Sequence, residues 1–258
     1  MGRKTTAELD IIIPVFNNYK LTLGCIASIF KGTYTKEKLN IIIVDNASED
    51  KTEHFMKYLV SEGEPITYLR QEKNLGYVKG LNAGLKVSTA PFVMSLNNDT
   101  LLDKNCLSSM IKVLKENPKV GVTGAMEFLP NGYPSKDKPF IYWNGKKILD
   151  PILKGVNDVI EQIEQGQDFV DVDLVGSACC IYKKEVFDKI GIFDEIYGMG
   201  MYEQEDLEYR AQKAGFRIAL CLDAMFVHFV AQTTSFNLDY YQKLIKTNRA
   251  LFLNKWVK

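Results

Sequence analysis

Apolar positions in the first hundred residues switch repeatedly between two periods. Leu9 to Val15 is an unbroken run rich in β-branched residues and too short for a helix, which marks a strand buried on both faces. Residues 19–30 then carry apolar side chains at helical spacing. Asn40 to Asp45 predicts a second buried strand, 49–60 a second helix, and Ile66 to Leu69 a third strand. A helix over 77–87, holding Gly80 and Gly84, and a fourth strand over Pro91 to Leu96 complete the run. Strands alternating with helices predict right-handed crossovers. The expected fold is a single α/β domain with a mostly parallel, mixed sheet and helices on both faces.

The pattern loosens beyond residue 100. Residues 127–170 hold Pro130, Gly132, Pro134, Pro139, Gly145 and Pro151, with one weak helical stretch near 157–165. This reads as a long loop region over the body, and long loops in compact domains are usually functional or disordered. A strand from Leu174 to Tyr182, a helix from Lys184, an acidic segment at 203–208 and a strand from Arg217 to Leu222 follow. A helix rich in tyrosine and lysine closes the chain, dividing it into a domain over 1–237 and a helical segment over 238–258.

Ligands of such sheets bind beyond the carboxyl ends of the strands. Three of the four early strands stop there at unusual groups: Pro14 before Phe16-Asn17-Asn18, Asp45-Asn46, and Asn97-Asn98-Asp99. Asp45 is placed either to accept a base N–H or to cap the next helix. Asn74-Leu75-Gly76 opens a helix, and either presents backbone N–H groups to phosphate or is an ordinary turn. Asn97, Asn98 and Asp99 set oxygen ligands where a hard divalent cation bridges diphosphate oxygens; the alternative is a turn before a helix capped by Asp103. Glu203, Glu205, Asp206 and Glu208 cluster on one helical segment, where neighbouring acids raise each other's pKa and one can serve as a general base. The alternative is a solvated, salt-bridged face, which is the expectation for Glu208. His228, after the apolar run Ala224 to Val227, reads as structural on position alone, and His54 as a surface residue.

Charge balance then narrows the classes of ligand. Thirty-two basic residues match 32 acidic ones, which excludes a general nucleic-acid binder and leaves acidic ligands to local groups or a metal. Five cysteines without a CxxC pair suit a reduced, cytoplasmic protein. No apolar run is long enough to span a bilayer and no secretory signal opens the chain, although Met1-Gly2-Arg3-Lys4-Thr5-Thr6 fits the loose N-myristoylation pattern.

Six segments in order, Ile11-Ile-Ile-Pro-Val-Phe-Asn17, Ile42-Ile-Val-Asp-Asn-Ala-Ser48, Asn74-Leu-Gly-Tyr77, Leu96-Asn-Asn-Asp-Thr100, Gly191-Ile-Phe-Asp-Glu195 and Ala214-Gly-Phe-Arg217, are followed by Asp223 and His228. Together they resemble family 2 of the inverting glycosyltransferases, which have the GT-A fold, and the Asp-Asn-Ala-Ser and Asn-Asn-Asp forms resemble its rhamnosyltransferase-like branch. The resemblance implies transfer of a sugar from a UDP- or dTDP-sugar to an acceptor hydroxyl with inversion. It implies a donor pocket of Pro14, Phe16, Asp45, Asn74, Gly76, Asn97, Asn98 and Asp99, and a Mn2+ or Mg2+ ion held by Asp99 and His228. Asn97 stands where the family carries the first acid of its Asp-x-Asp motif, and Gln204 where the basic aspartate usually stands. The base is therefore expected among Asp206, Glu205 and Glu203, in that order. Gly176, Ser177 and the 127–170 loop would shape the site for a glycan or lipid-linked acceptor.

Two rival readings are a nucleotidyltransferase, which would carry a Gly-rich basic loop where Phe16-Asn17-Asn18-Tyr19 stands, and an inactive nucleotide-sugar-binding module, which Asn97 and Gln204 would suit. The terminal segment pairs Tyr241, Leu244, Ile245, Phe252 and Trp256 with Lys243, Lys246, Arg249, Lys255 and Lys258. It reads first as a helix packed on the domain, and second as a peripheral contact with an anionic membrane.

Overall fold

The computed structural model describes residues 7–128, 130, 166–229 and 238–256. Strands β1 (Leu9–Val15), β2 (Leu39–Asp45), β3 (Ile66–Arg70) and β4 (Phe92–Leu96) alternate with helices α1 (Tyr19–Lys31), α2 (Thr52–Ser61) and α3 (Tyr77–Val87). All three ladders among these strands are parallel. The expected helix over 49–60 begins at Thr52 because Asp50 turns the chain first, its Oδ1 accepting from the Thr52 N–H at 2.9 Å.

The second half adds β5 (Thr100–Leu102), α4 (Cys106–Glu116), β6 (Val120–Phe128), β7 (Phe169–Val172), β8 (Cys179–Lys183), α5 (Lys184–Ile190), α6 (Glu203–Lys213), β9 (Arg217–His228) and α7 (Leu238–Trp256). The sheet runs β3-β2-β1-β4-β8-β6-β9-β5, with β7 also paired to β9. β8 is antiparallel to both β4 and β6, and β5 and β7 are antiparallel to β9, which gives the sheet its mixed character. The apolar pattern does not predict β5, β6 or β7. β6 is interrupted by Gly121 and Gly124, while β5 and β7 are only three and four residues long. The strand expected over 174–182 is confined to 179–183. Most of 127–170 and all of 157–165 fall outside the described residues.

Alternation along the buried strands divides the core between two faces. Ile11, Ile13 and Val15 pack with Cys25, Ile29, Met56 and Met110, on the side of α1, α2 and α4. Ile12, Ile42 and Val44 pack with Val78, Leu81, Val186, Phe187 and Leu207, on the side of α3, α5 and α6. This is why the early strands read as continuous apolar runs: both faces are covered. α7 joins the second face through Leu251 and Phe252, while Lys243, Lys246 and Arg249 are exposed. Among the described residues, no helix is long and apolar enough to cross a membrane.

α3 approaches β1 closely at a glycine. A Cβ on Gly84 would lie 2.4 Å from Ile12 Cγ2 and 3.0 Å from Ile12 Cγ1, too close without moving the helix or the strand. Alanine gains up to about 1 kcal/mol over glycine in a helix interior, but overpacking a buried contact costs about 1–3 kcal/mol. Gly84→Ala is expected to be net destabilising in equilibrium urea unfolding. A midpoint at or above that of the parent chain would show that the α3–β1 contact is looser than described.

Candidate active site

The parallel strands deliver their carboxyl ends to one edge, where three loops are laced together. Asn17 and Asn18 follow β1 with φ of 59° and 58°, and Ala47 follows β2 with φ of 62°. Backbone in this left-handed region is uncommon for non-glycine residues and must be held by its surroundings. Here the Asn17 N–H donates to Ser48 Oγ at 2.8 Å, and the Glu49 N–H returns a bond to Asn17 Oδ1 at 2.8 Å. Pro14 lies under this lacing, in van der Waals range of Gly80 on α3, and Phe16 is half-buried beside it.

Asp45 closes β2 fully buried. Its Oδ1 accepts from the Ser48 N–H at 2.8 Å, and its Oδ2 from Tyr68 Oη at 2.5 Å and from Arg70 at 2.7 Å. It therefore closes the turn after β2 without capping α2, which begins only at Thr52, and its second oxygen is held by side chains of β3. Arg70 and Tyr68, which nothing in the sequence singles out, are its partners. The next turn is built as expected for an Asx motif: Asn74 Oδ1 accepts from the Gly76 N–H at 2.9 Å. Gly76, with φ of 82°, sits so near the 198–199 backbone that a Cβ there would lie 2.8 Å from Met199 Sδ.

Asp99 and His228, 129 positions apart, meet through strand pairing. β6 and β9 slip register between Ala125↔Cys221 and Met126↔Met225, so Leu222, Asp223 and Ala224 are extra residues on β9. The bulged strand continues past its expected end at 222 and pairs with β5, setting Thr100 opposite His228. The Phe229 N–H donates to the Asp99 carbonyl at 2.9 Å. His228 Nε2 then lies 3.1 Å from Asp99 Oδ1 and 3.3 Å from Asn97 Nδ2, and Nδ1 lies 2.6 Å from Glu127 Oε1. Burial alone would lower the His228 pKa, but the two carboxylates outweigh it and push it up to about 9. The stability this charge cluster contributes is full below pH 6.5 and is lost as pH rises through about 9. Asn97 Oδ1 is buried and accepts no hydrogen bond. Asn98 turns the other way: its Nδ2 donates to Thr22 Oγ1 at 3.0 Å inside the sheet–α1 interface, so its side chain is not at the site.

The acids of α6 have three different fates. Asp206, expected first as the base, is fully buried and spent on packing. Its Oδ1 meets Trp256 Nε1 at 2.8 Å, Lys255 Nζ at 2.7 Å and Tyr197 Oη at 3.3 Å, and its Oδ2 meets Arg210 Nε at 2.8 Å. Glu208, expected to be solvated, is instead fully buried, and this corrects the sequence reading. Its Oε1 accepts from Gln204 at 2.5 Å and its Oε2 from the Val175 N–H at 3.1 Å, while Gln204 Oε1 accepts from Tyr182 at 2.6 Å. Burial pushes the Glu208 pKa well above its usual value. Glu205 is half-buried.

Glu203, itself buried, lies toward the edge. Its carboxylate lies 3.9 Å from where a Cβ would stand on Gly200, beside the Tyr77 ring. Tyr77 Oη donates to the Ser177 carbonyl at 3.3 Å. Its own pKa is raised well above the usual phenol value by burial and then by Glu203, Cys180 and Asp99, so it stands within the field of both Glu203 and Asp99. Gly176 completes the circuit: a Cβ there would lie 3.7 Å from Glu127 Oε2, and its carbonyl accepts from Cys180 Sγ. The structure thus gathers Asn97, Asp99, His228, Gly176, Ser177 and Glu203 with Glu127 and Tyr77, which sequence reasoning missed. Glu127 is hidden because the pattern gives no sign of β6. Tyr77 stands out in the sequence only as the end of its motif. Among the described residues no three carboxylate, histidine or thiol groups converge as a ready-made metal site.

Comparison with known proteins places this geometry. The family model described as Glycosyl transferase family 2 matches residues 10–191, more than half of the chain. The chain is 35% identical over 89 residues to the poly-beta-1,6-N-acetyl-D-glucosamine synthase of Staphylococcus aureus, a stretch that is 34% of this chain and 21% of that protein. It superposes on the mannosyltransferase PcManGT from Pyrobaculum calidifontis, solved with GDP-Man and Mn2+, with a TM-score of 0.64 at 18% identity, covering 87% of this chain and 57% of that one. On Staphylococcus aureus TarS 1–349 with UDP-GlcNAc the TM-score is 0.65 at 16% identity, covering 96% and 67%. At these identities the structures establish the shared GT-A fold. The chain matches well under half the length of its curated relatives.

The buried Glu208 yields a test of this arrangement. Because its folded pKa is raised, its contribution to stability is full below the ordinary carboxylate pKa and is lost as pH rises. Glu208→Gln, neutral at every pH and nearly the same shape, is expected to fold and to lose less stability than the parent between pH 5 and 8. Parallel pH–stability curves for the two proteins would mean that Glu208 is not held neutral.

Proposed function

We propose that this chain, which belongs to glycosyl transferase family 2, transfers a sugar from a nucleoside-diphosphate sugar to an acceptor hydroxyl with inversion at the anomeric carbon. The observation that carries the reading is the single edge that brings together Asp99 with His228 and, beside the Tyr77 ring, Glu203. A displacement of this kind needs two groups with opposite roles. One accepts charge building on the leaving diphosphate, and the other takes the proton of the attacking oxygen.

The donor lies, in this reading, along Pro14, Phe16, Asp45, Asn74, Gly76 and Asn97. A base N–H reaches Asp45 by exchange with Tyr68 or Arg70. Arg70, with 35% of its side chain exposed, is then the first of the trio to meet the nucleotide. Asp99, His228 and the open Oδ1 of Asn97 fit a Mn2+ or Mg2+ ion, being oxygen and imidazole ligands, with the remaining positions left to the diphosphate. When bound, such an ion neutralises charge on the departing diphosphate. Glu127 on the far nitrogen of His228 fixes the ring and its tautomer.

Glu203 is the base we propose, in place of Asp206, whose oxygens already serve Arg210, Lys255 and Trp256. It would take the acceptor's proton as the oxygen attacks. Gly176 and Ser177 would border the acceptor, which we take to be a glycan or a lipid-linked glycan. UDP and dTDP are the nucleotides proposed.

Release of nucleoside diphosphate from a panel of UDP-, dTDP- and GDP-sugars with Mn2+ tests the reading. Asp99→Ala should abolish turnover, and Glu203→Gln should lower kcat by about 10²-fold or more with donor binding retained. A Glu203→Gln protein as fast as the parent would remove Glu203 from the mechanism. No turnover of any donor by the parent would favour a binding module instead.

Metal loading gives an independent check. His228 is protonated below about pH 9, and ligation requires its neutral form. Mn2+ binding at a pH of about 7.5 is therefore expected to release a proton, which titration calorimetry detects as a heat that changes with the ionisation enthalpy of the buffer. Equal heats in phosphate-free buffers of differing ionisation enthalpy would exclude His228 as a ligand.

A further inference from the structure

The turn that carries the chain into Glu203 is held from outside its own helix. Gly198, Gly200, Met201 and Tyr202 have φ of 57°, 121°, 72° and 71°. Met201 and Tyr202 are non-glycine residues in a conformation that side chains disfavour, so this backbone keeps its shape only if its surroundings enforce it. α6 itself offers no side-chain cap at Tyr202.

The enforcement comes from α7. Asn248, 3% exposed, points its carboxamide into the hollow of the turn. Its Nδ2 lies 2.9 Å from the Tyr197 carbonyl, 2.7 Å from that of Gly200 and 3.1 Å from that of Met201. An amide nitrogen has two hydrogens, so three carbonyls share two donors and all point toward one atom. Aspartate would put oxygen against those carbonyls, and alanine would take this donor from all three, leaving the Tyr197 carbonyl only its bond from the Gly200 N–H. Further along the same helix, Lys255 and Trp256 take hold of Asp206. α7 therefore grips the backbone before Glu203 with one hand and the first turn of α6 after it with the other. The gripped turn also bears on the donor side, since Met199 packs over Gly76.

We propose that Asn248 is a positioning residue for Glu203, and that α7 is the element that sets this acid beside the Tyr77 ring. The proposal rests on the reading of Glu203 as the base. It goes beyond that reading by making residue 248, which touches no reacting group, necessary for proton transfer.

Two measurements test it. In hydrogen exchange followed by mass spectrometry, Asn248→Ala should speed exchange at least tenfold in peptides spanning 197–206 while β1 and β2 keep their protection. Unchanged exchange in 197–206 would overturn the proposal whatever the enzyme's activity. The second is a double-mutant cycle on whichever sugar nucleotide of the panel is turned over fastest. Asn248→Ala should lower kcat about tenfold in the parent, with little change in the donor KM, and should add little to the loss already caused by Glu203→Gln. Equal losses in both backgrounds would mean that Asn248 acts on something other than Glu203. A fully active Glu203→Gln protein would instead mark failure of the base assignment. If Asn248→Ala does not fold, Asn248→Gln, which keeps the donor on a longer arm, carries the same cycle, with a smaller loss expected.

Discussion

The register between β5 and β9 is the constraint on which the rest of the site depends. Three residues follow Asp99 in β5, and their pairing sets Thr100 opposite His228. A slip of one residue would turn the histidine to the other face of the sheet. The bulge of β9 lies just upstream of that register, and beyond it the strand pairs with β6 on one side and with β5 on the other. The ion cluster is thus a product of strand geometry: Asp99, Glu127 and His228 stand at the ends of the neighbouring strands β5, β6 and β9.

Helix α6 shows how environment divides identical chemistry. Its carboxylates would repel one another if all were ionised and exposed alike. Asp206 is surrounded by Arg210, Lys255 and the Trp256 N–H, a buried ion group in which every charge has a partner. Glu208 has only neutral donors around it, and burial without a cation drives it toward the uncharged acid. Glu203 sits at the end of the helix next to the strained turn, facing the edge. Asp206 and Glu208 brace the helix, while Glu203, also buried, lies at its end beside the Tyr77 ring.

Much of this is legible from residue order alone, for reasons that particular elements make plain. β1 and β2 are continuous apolar runs because both faces are buried, and the polar residues that end them have to lie on one edge. The pairing of Asp99 with His228 follows only from the family resemblance, since β5 is three residues long and leaves almost no periodic signal. The different surroundings of the α6 acids are hidden for a different reason. Asp206 and Glu203 look equivalent until α7 is seen to occupy one of them, and a contact across 50 positions leaves no local trace. Glu208 misleads because a buried carboxyl among Gln204, Tyr182 and Val175 has the same helical spacing as a solvated one. Arg70 and Tyr68 escape notice as two residues of an otherwise ordinary edge strand that reach back to Asp45.

The long reach of these contacts bears on the order in which the molecule becomes competent during synthesis. The parallel half of the sheet is complete once Leu96 has emerged, since its ladders join β1 to β2, β2 to β3 and β1 to β4. Asp99 must wait for His228, and the turn at 197–202 must wait for Asn248. A growing chain can therefore pair its four parallel strands before its reactive edge exists, because the partners of Asp99 and of the 197–202 turn are made later. The ribosome would hold a folded but chemically silent sheet until the final helix swings into place.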